Sequence, residues 1–172
     1  MATTPVLVVL GGLPGTGKTT LARVLARDLG AAHLRIDTIE QAVVHSSLPV
    51  DAAAEVGYTA AAAVARDNLG LGLSVVADCV NPVAESQAGW HAVAVATGAR
   101  LVEIQLVCTD AEEHRHRVQD RVADIPGHVQ PTWDDVSTRV LAPWPGAAVL
   151  DSAGRAISDV ARDARALIDA GA

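Results

Sequence analysis

Short aliphatic runs alternate with longer amphipathic stretches along the chain. Val6 to Leu10 is an unbroken β-branched and aliphatic run between Pro5 and Gly11, which predicts a strand buried on both faces. From Lys18 to Leu29, Leu21, Leu25 and Leu29 share one face and Arg23 and Arg27 lie off it, predicting a helix stopped near Gly30. His33 to Ile36 reads as a second strand ending at Asp37, and the alanine-rich stretch from Asp51 to Leu69 as a helix. Leu73 to Ala77 is a third strand closed by Asp78. Asn81-Pro82 then reads as a cap followed by a first helical proline, opening a helix to about Gly98. Leu101 to Val107 is a fourth strand, and Thr109 with Glu112 fits a capping box for the next helix. Val122 to Pro131 reads as a loop and Thr132 as the start of a short helix. Ala147 to Leu150 is a fifth strand and Arg155 to Ala170 the last helix.

This alternation implies one α/β domain over residues 1–172, a parallel sheet with helices on both faces. Ligands in such sheets bind beyond the carboxyl ends of the strands, where Asp37, Asp78 and the Gly12–Thr19 loop should converge. The length suffices to bury a core without staples. With 2% aromatic residues and no Phe, that core must be aliphatic. Cys79 and Cys108 end apolar runs and read as small buried hydrophobes, not as a disulfide or a zinc pair. The six histidines lack metal-ligand spacing. The apolar N-terminal run breaks at Gly11-Gly12, so neither a leader nor a membrane span is expected, and the protein is read as cytoplasmic. A net charge of -7 without a basic run argues against a general nucleic-acid surface.

Gly12-Leu13-Pro14-Gly15-Thr16-Gly17-Lys18-Thr19 matches G-x-x-x-x-G-K-[ST] in full, after a strand and before a helix. Glycines let successive amides face one point, and the helix start adds partial positive charge. Lys18 suits the β and γ phosphates, Thr19 a magnesium ion, and Thr20 the region of the α phosphate. Lys18 is also the only lysine among 13 basic residues. A compact ammonium is retained where arginine fills every other basic position.

Three further features point from nucleotide binding to phosphoryl transfer. Asp37, in Arg35-Ile36-Asp37-Thr38, could hold an acceptor hydroxyl in line with the γ phosphate, or cap a helix over Thr38 to Val44. Asp78 ends a hydrophobic strand in the Walker B manner and would orient water on magnesium. Arg117 and Arg121 are four apart on one predicted helix face, with Val118 and Val122 turned to the core. Two guanidinium groups there would stabilise a transferring phosphoryl, and the following loop with Pro126-Gly127 would move as a lid. Trp90, Trp133 and Trp144 could stack on an acceptor ring, and His45, Tyr58 and Asn81 could line its pocket.

The chain resembles the small P-loop kinases. That group includes gluconate and shikimate kinases, adenylylsulfate kinase, chloramphenicol phosphotransferase and the polynucleotide 5′-kinase domain. The likeness rests on Gly12–Thr19, Asp37, Asp78, the arginines from Arg115 to Arg121 and the stretch from Asp124-Ile125-Pro126-Gly127 to Pro131-Thr132-Trp133. It implies a P-loop NTPase fold with strand order 2-3-1-4-5 and an arginine-bearing lid over about residues 115–132. It also implies that Asp37 is the acceptor-side acid and that Asp151 to Arg155, with Gly154 and Arg155, lie beside the nucleotide base. The expected catalytic set is Lys18, Asp37, Arg117 and Arg121, with Thr19 and Asp78 on magnesium. The expected activity is transfer of the γ-phosphate of ATP, or of GTP, to a hydroxyl of a small molecule by a monomer or homodimer. A nucleic-acid 5′-hydroxyl kinase and a nucleotide-dependent switch without an acceptor are the alternatives. No motif names the acceptor.

Overall fold

The structure, a computed structural model, describes residues 4–47 and 53–170. Five strands form one parallel sheet: β1 (Val6–Gly11), β2 (Ala32–Arg35), β3 (Val75–Asp78), β4 (Arg100–Val107) and β5 (Ala148–Asp151). Their order is β2-β3-β1-β4-β5, as the family resemblance implied. The helices are α1 (Lys18–Leu29), α2 (Ile36–Val44), α3 (Ala53–Gly70), α4 (Ala84–Thr97), α5 (Ala111–Gln119), α6 (Trp133–Ser137) and α7 (Ile157–Ala170).

The central strand shows why an unbroken aliphatic run was needed. Val6, Val8 and Leu10 face one core layer with Leu21 and Leu25 of α1 and Val160 and Ile168 of α7. Leu7 and Val9 face the other, with Ala61 and Ala65 of α3 and Trp90 and Val93 of α4. Side chains alternate along a strand, so only a run apolar at every position satisfies both layers. Each fully buried aliphatic side chain there contributes roughly 1.5–3 kcal/mol. The parallel registers bring Arg35, Asp78 and Leu10 level at the carboxyl edge. The first loop leaves the sheet at that edge.

Several boundaries differ from the sequence expectation. β2 ends at Arg35, so Asp37 lies in the first turn of α2 and neither ends a strand nor caps the helix; Arg35 is at the cap position. Asn81 does not cap α4, because that helix starts two residues later behind Val83. Asn81 instead adopts a left-handed turn with φ 55°, a conformation asparagine tolerates better than most residues. Asp110, not Thr109, caps α5 by accepting from the Glu113 amide. The Thr109 hydroxyl is drawn to Asp151 across the β4–β5 edge. Thr132 caps α6 with the reciprocal box closed by Asp135. Asp51 lies outside the described residues.

The lid arginines differ too. α5 stops at Gln119, so Arg121 is off the helix and does not share a helical face with Arg117. Val118 is buried as expected, but Val122 is 85% exposed. Cys79 is buried whereas Cys108 is part-exposed, and both thiols are free. No helix among the described residues is long and apolar enough to cross a membrane.

Candidate active site

The loop between β1 and α1 is shaped by positions where a side chain does not fit. Gly12 has φ 134°, and a Cβ there would stand 2.2 Å from the Leu106 carbonyl oxygen. Gly17, with φ 96°, occupies the cap position of α1 without any side-chain cap. No acid lies in the first turn of α1. Its first amides and the positive end of its dipole therefore remain available to an anion. The loop is closed underneath by protein contacts. The Gly12 amide donates to the Val80 carbonyl at 3.1 Å, and His114 Nε2 lies 2.8 Å from the Pro14 carbonyl oxygen.

Lys18 is buried, and its ammonium donates to the Leu13 carbonyl at 2.8 Å. Burial pushes its pKa below the ordinary lysine value, against the pull of the Asp78 and Asp37 carboxylates. Asp78 is 4% exposed. Burial pushes its carboxyl up, but His33, Lys18 and Thr19 together outweigh burial and hold it below the usual carboxylate range. His33 Nε2 stands 3.4 Å from Asp78 Oδ2, and Arg35 Nε stands 3.9 Å from it. Neither contact has hydrogen-bond geometry, and Asp78 Oδ2 has no hydrogen-bond partner among the described residues.

These groups open into a cleft of about 600 Å³ at the carboxyl edge of the sheet. Pro14 to Thr20 form its floor. One lobe is walled by Arg117, Ser152, Arg155, Ile157 and Val160. The other is walled by Ile36, Asp37, Glu40, Tyr58, Val80, Pro82, His128 and Arg139. Asp78 and Arg121 also face the cleft. Gly12 and Leu13 belong to the base of the loop, and Gly154 is outside the lining, its amide donating to Glu113 at 2.8 Å.

Residues 7–139 match the family model described as an AAA domain. The chain belongs to that family. No curated protein matches it significantly in sequence. Solved structures share its fold. A candidate kinase from Chloroflexus aurantiacus is 19% identical with TM-score 0.78, and each chain is covered in full. APS kinase from Mycobacterium tuberculosis, in complex with AMPPNP and APS, is 18% identical with TM-score 0.70, over 96% of this chain and 98% of that one. A gluconokinase from Sinorhizobium meliloti is 17% identical with TM-score 0.68, over 98% and 94%. The AAA-domain protein thus has the fold of the P-loop kinases.

The two arginines expected to act together are used differently. Arg117 donates to the Ser152 hydroxyl at 2.9 Å and its carbonyl at 3.0 Å, and pairs with Glu113 at 2.5 Å. Its guanidinium is thereby committed to the turn after β5. Arg121 has no hydrogen-bond or ion-pair partner among the described residues, and it lies near enough to Lys18 to lower the pKa of that ammonium. Arg155 pairs with Asp163 at 2.5 Å while lining the cleft.

The three tryptophans do not line the cleft. Trp90 is core, Trp144 donates to the buried Glu103 at 3.1 Å, and Trp133 meets His114 edge-on at 5.3 Å. Tyr58 does line it and accepts from the Asn81 amide at 2.9 Å, whereas Asn81 is buried outside the lining and His45 is exposed away from it. Cys79 also lines the cleft, and burial pushes its thiol up to about 12, which disfavours the thiolate.

Arg35 and Asp124 enter the sequence reading only within their motifs, and nothing in the chain signals that they pair. Arg35 is buried and donates to both oxygens of Asp124 at 3.0 and 2.9 Å, while Arg23 of α1 reaches the same carboxylate at 2.6 Å. Arg35 also approaches Asp37 at 4.0 Å. The loop after α5 is latched to the strand edge through one acid, with Ile125 buried beside it. Asp124→Ala removes the carboxylate that is hydrogen-bonded to the buried Arg35 and leaves it only the longer approaches to Asp37 and Asp78, so a loss of about 1–3 kcal/mol is expected, discounted because Asp124 is 38% exposed. Urea unfolding and amide exchange over residues 121–131 would measure it. An unchanged midpoint with unchanged lid protection would exclude the latch.

Proposed function

We propose that this AAA-domain protein is a kinase that moves the γ-phosphate of ATP to a hydroxyl of a small molecule. The observation that carries this reading is one cleft holding the phosphate-loop amides and Lys18 beside two carboxylates in unlike surroundings. Asp78 is buried among cations, and the side chain of Asp37 is 33% exposed toward the second lobe. The amides of residues 15–20 and Lys18 suit the phosphates, and the lobe of Ser152, Arg155, Ile157 and Val160 suits the base.

Thr19 and Asp78 fit magnesium, which prefers oxygen donors and keeps much of its water. The hydroxyl of Thr19 lies with Asp78, and the buried Oδ2 of Asp78 lacks a hydrogen-bond partner. Bound magnesium would neutralise charge on the phosphate oxygens. The protein's own groups do the positioning. Lys18 and Arg121 meet the charge of the transferred group, Arg117 holds the Ser152 wall, and Asp37 orients the acceptor hydroxyl and takes its proton. The net charge of -7 supports a small acceptor over a nucleic acid.

The test is a panel of small alcohols incubated with the protein and MgATP, read by ADP release and product mass. Acceptor-dependent ADP with a product heavier by one phosphate is expected. Slow hydrolysis that no acceptor stimulates would overturn the kinase reading in favour of a nucleotide switch.

A further inference from the structure

α2 presents a second carboxylate to the cleft. Glu40 stands three residues after Asp37, so the two side chains share a helix face, and both line the lobe away from the base site. The facing helix α3 makes room for it. Gly57 lies inside α3, where glycine costs roughly 1 kcal/mol relative to alanine. A Cβ at Gly57 would stand 2.5 Å from Glu40 Cγ and 3.0 Å from Oε1. In a helix otherwise rich in alanine, the missing methyl leaves room for the Glu40 side chain, its Cγ nearest and its carboxyl just beyond. The next residue, Tyr58, is held by the Asn81 amide and walls the same lobe.

The charges of the lobe limit what it can bind. Asp37 and Glu40 face it, with Arg139 and His128 as its basic groups, while Arg121, which also faces the cleft, is assigned to the transferred phosphoryl. Arg139 lies near enough to Glu40 to pull its carboxyl down. A phosphorylated or carboxylated acceptor would meet two acids without a cation cluster to hold it. Two neighbouring hydroxyls would satisfy the pair. Burial, aided by the Asp37 charge, raises the Glu40 carboxyl to about 7 against the pull of Arg139. Near neutrality it can therefore accept or donate toward a hydroxyl.

We propose that Glu40, seated in the Gly57 notch, is the specificity residue of the acceptor lobe, and that the acceptor is an uncharged alcohol with a second hydroxyl beside the reactive one. Asp37 takes the reacting hydroxyl and Glu40 its neighbour. This rests on the kinase reading and narrows it to a substrate class.

The test uses the full chain with MgATP and matched acceptors: free sugars, nucleosides and inositols, their monodeoxy counterparts lacking the neighbouring hydroxyl, and their phosphorylated counterparts. A diol is expected to be phosphorylated, and loss of the neighbouring hydroxyl is expected to lower kcat/KM by about tenfold or more. In Glu40→Gln that discrimination should shrink to about twofold, with acceptor KM raised and ATP affinity retained. Gly57→Ala should reproduce the acceptor effect by displacing the carboxyl. If that variant does not fold, Glu40→Gln decides alone. Undiminished discrimination in Glu40→Gln, or preference for phosphorylated acceptors, overturns the Glu40 assignment and leaves the kinase standing. Transfer to no alcohol at all, with nucleotide bound, removes both.

Discussion

Lys18→Met should lower phosphoryl transfer by about 10²–10³-fold, the cost of removing one preorganised charge-stabilising donor from a protected site. The ammonium is buried and held by the Leu13 carbonyl at 2.8 Å, so its place is set before nucleotide arrives. Burial disfavours the charged form, and Asp78 and Asp37 offset part of that cost. Methionine fills similar volume and removes the charge, so the fold should persist while transfer fails. Arginine would not substitute, because a planar fork does not fit where a compact ammonium stands. Acceptor-dependent ADP release, with thermal unfolding as control, measures this. A folded Lys18→Met protein with full transfer would remove the loop from the chemistry.

Asp37→Asn is the second large effect. The amide keeps the shape of the side chain but loses the charge that draws a hydroxyl proton. Transfer should fall by about 10²–10⁴-fold, the usual contribution of a positioned acid or base. ATP affinity should change little, because Asp37 belongs to the lobe opposite the base site. Separate saturation curves for ATP and acceptor would divide the effect. Equal activity would exclude Asp37 and leave Asp78 and Glu40 as the acids of the cleft.

These residues differ in how readable they were. The phosphate loop is local: its glycines, lysine and threonine act within eight consecutive positions, and the strand before and the helix after are signalled by their own periodicities. Asp78 was readable for the same reason, as the polar end of a continuous apolar run. Asp37 was found, but its setting was misjudged. The run around it is short, and α2 begins at once after β2. No local cue separates a strand end from a first helical turn there.

Arg121 and Arg117 show the other limit. A spacing of four places residues on one face only while the helix continues, and α5 ends at Gln119. What each arginine does then depends on partners far along the chain: Ser152 for Arg117, and none among the described residues for Arg121. The tryptophans were ambiguous for a related reason. A large ring can fill a core or face a ligand, and only the surrounding packing decides which. Here Trp90 fills the core layer beneath α3 and α4, and Trp144 covers Gly11.

Amino-acid order alone set the α/β architecture and the anion-binding turn, because both follow from short-range periodicity and backbone sterics. The lid latch of Arg23, Asp124 and Arg35, and the seat of Glu40 over Gly57, were decided only by folding. They join groups 101, 89 and 17 positions apart, and such separations leave no periodic trace in the chain. Their meaning lies in which surfaces the sheet brings into contact.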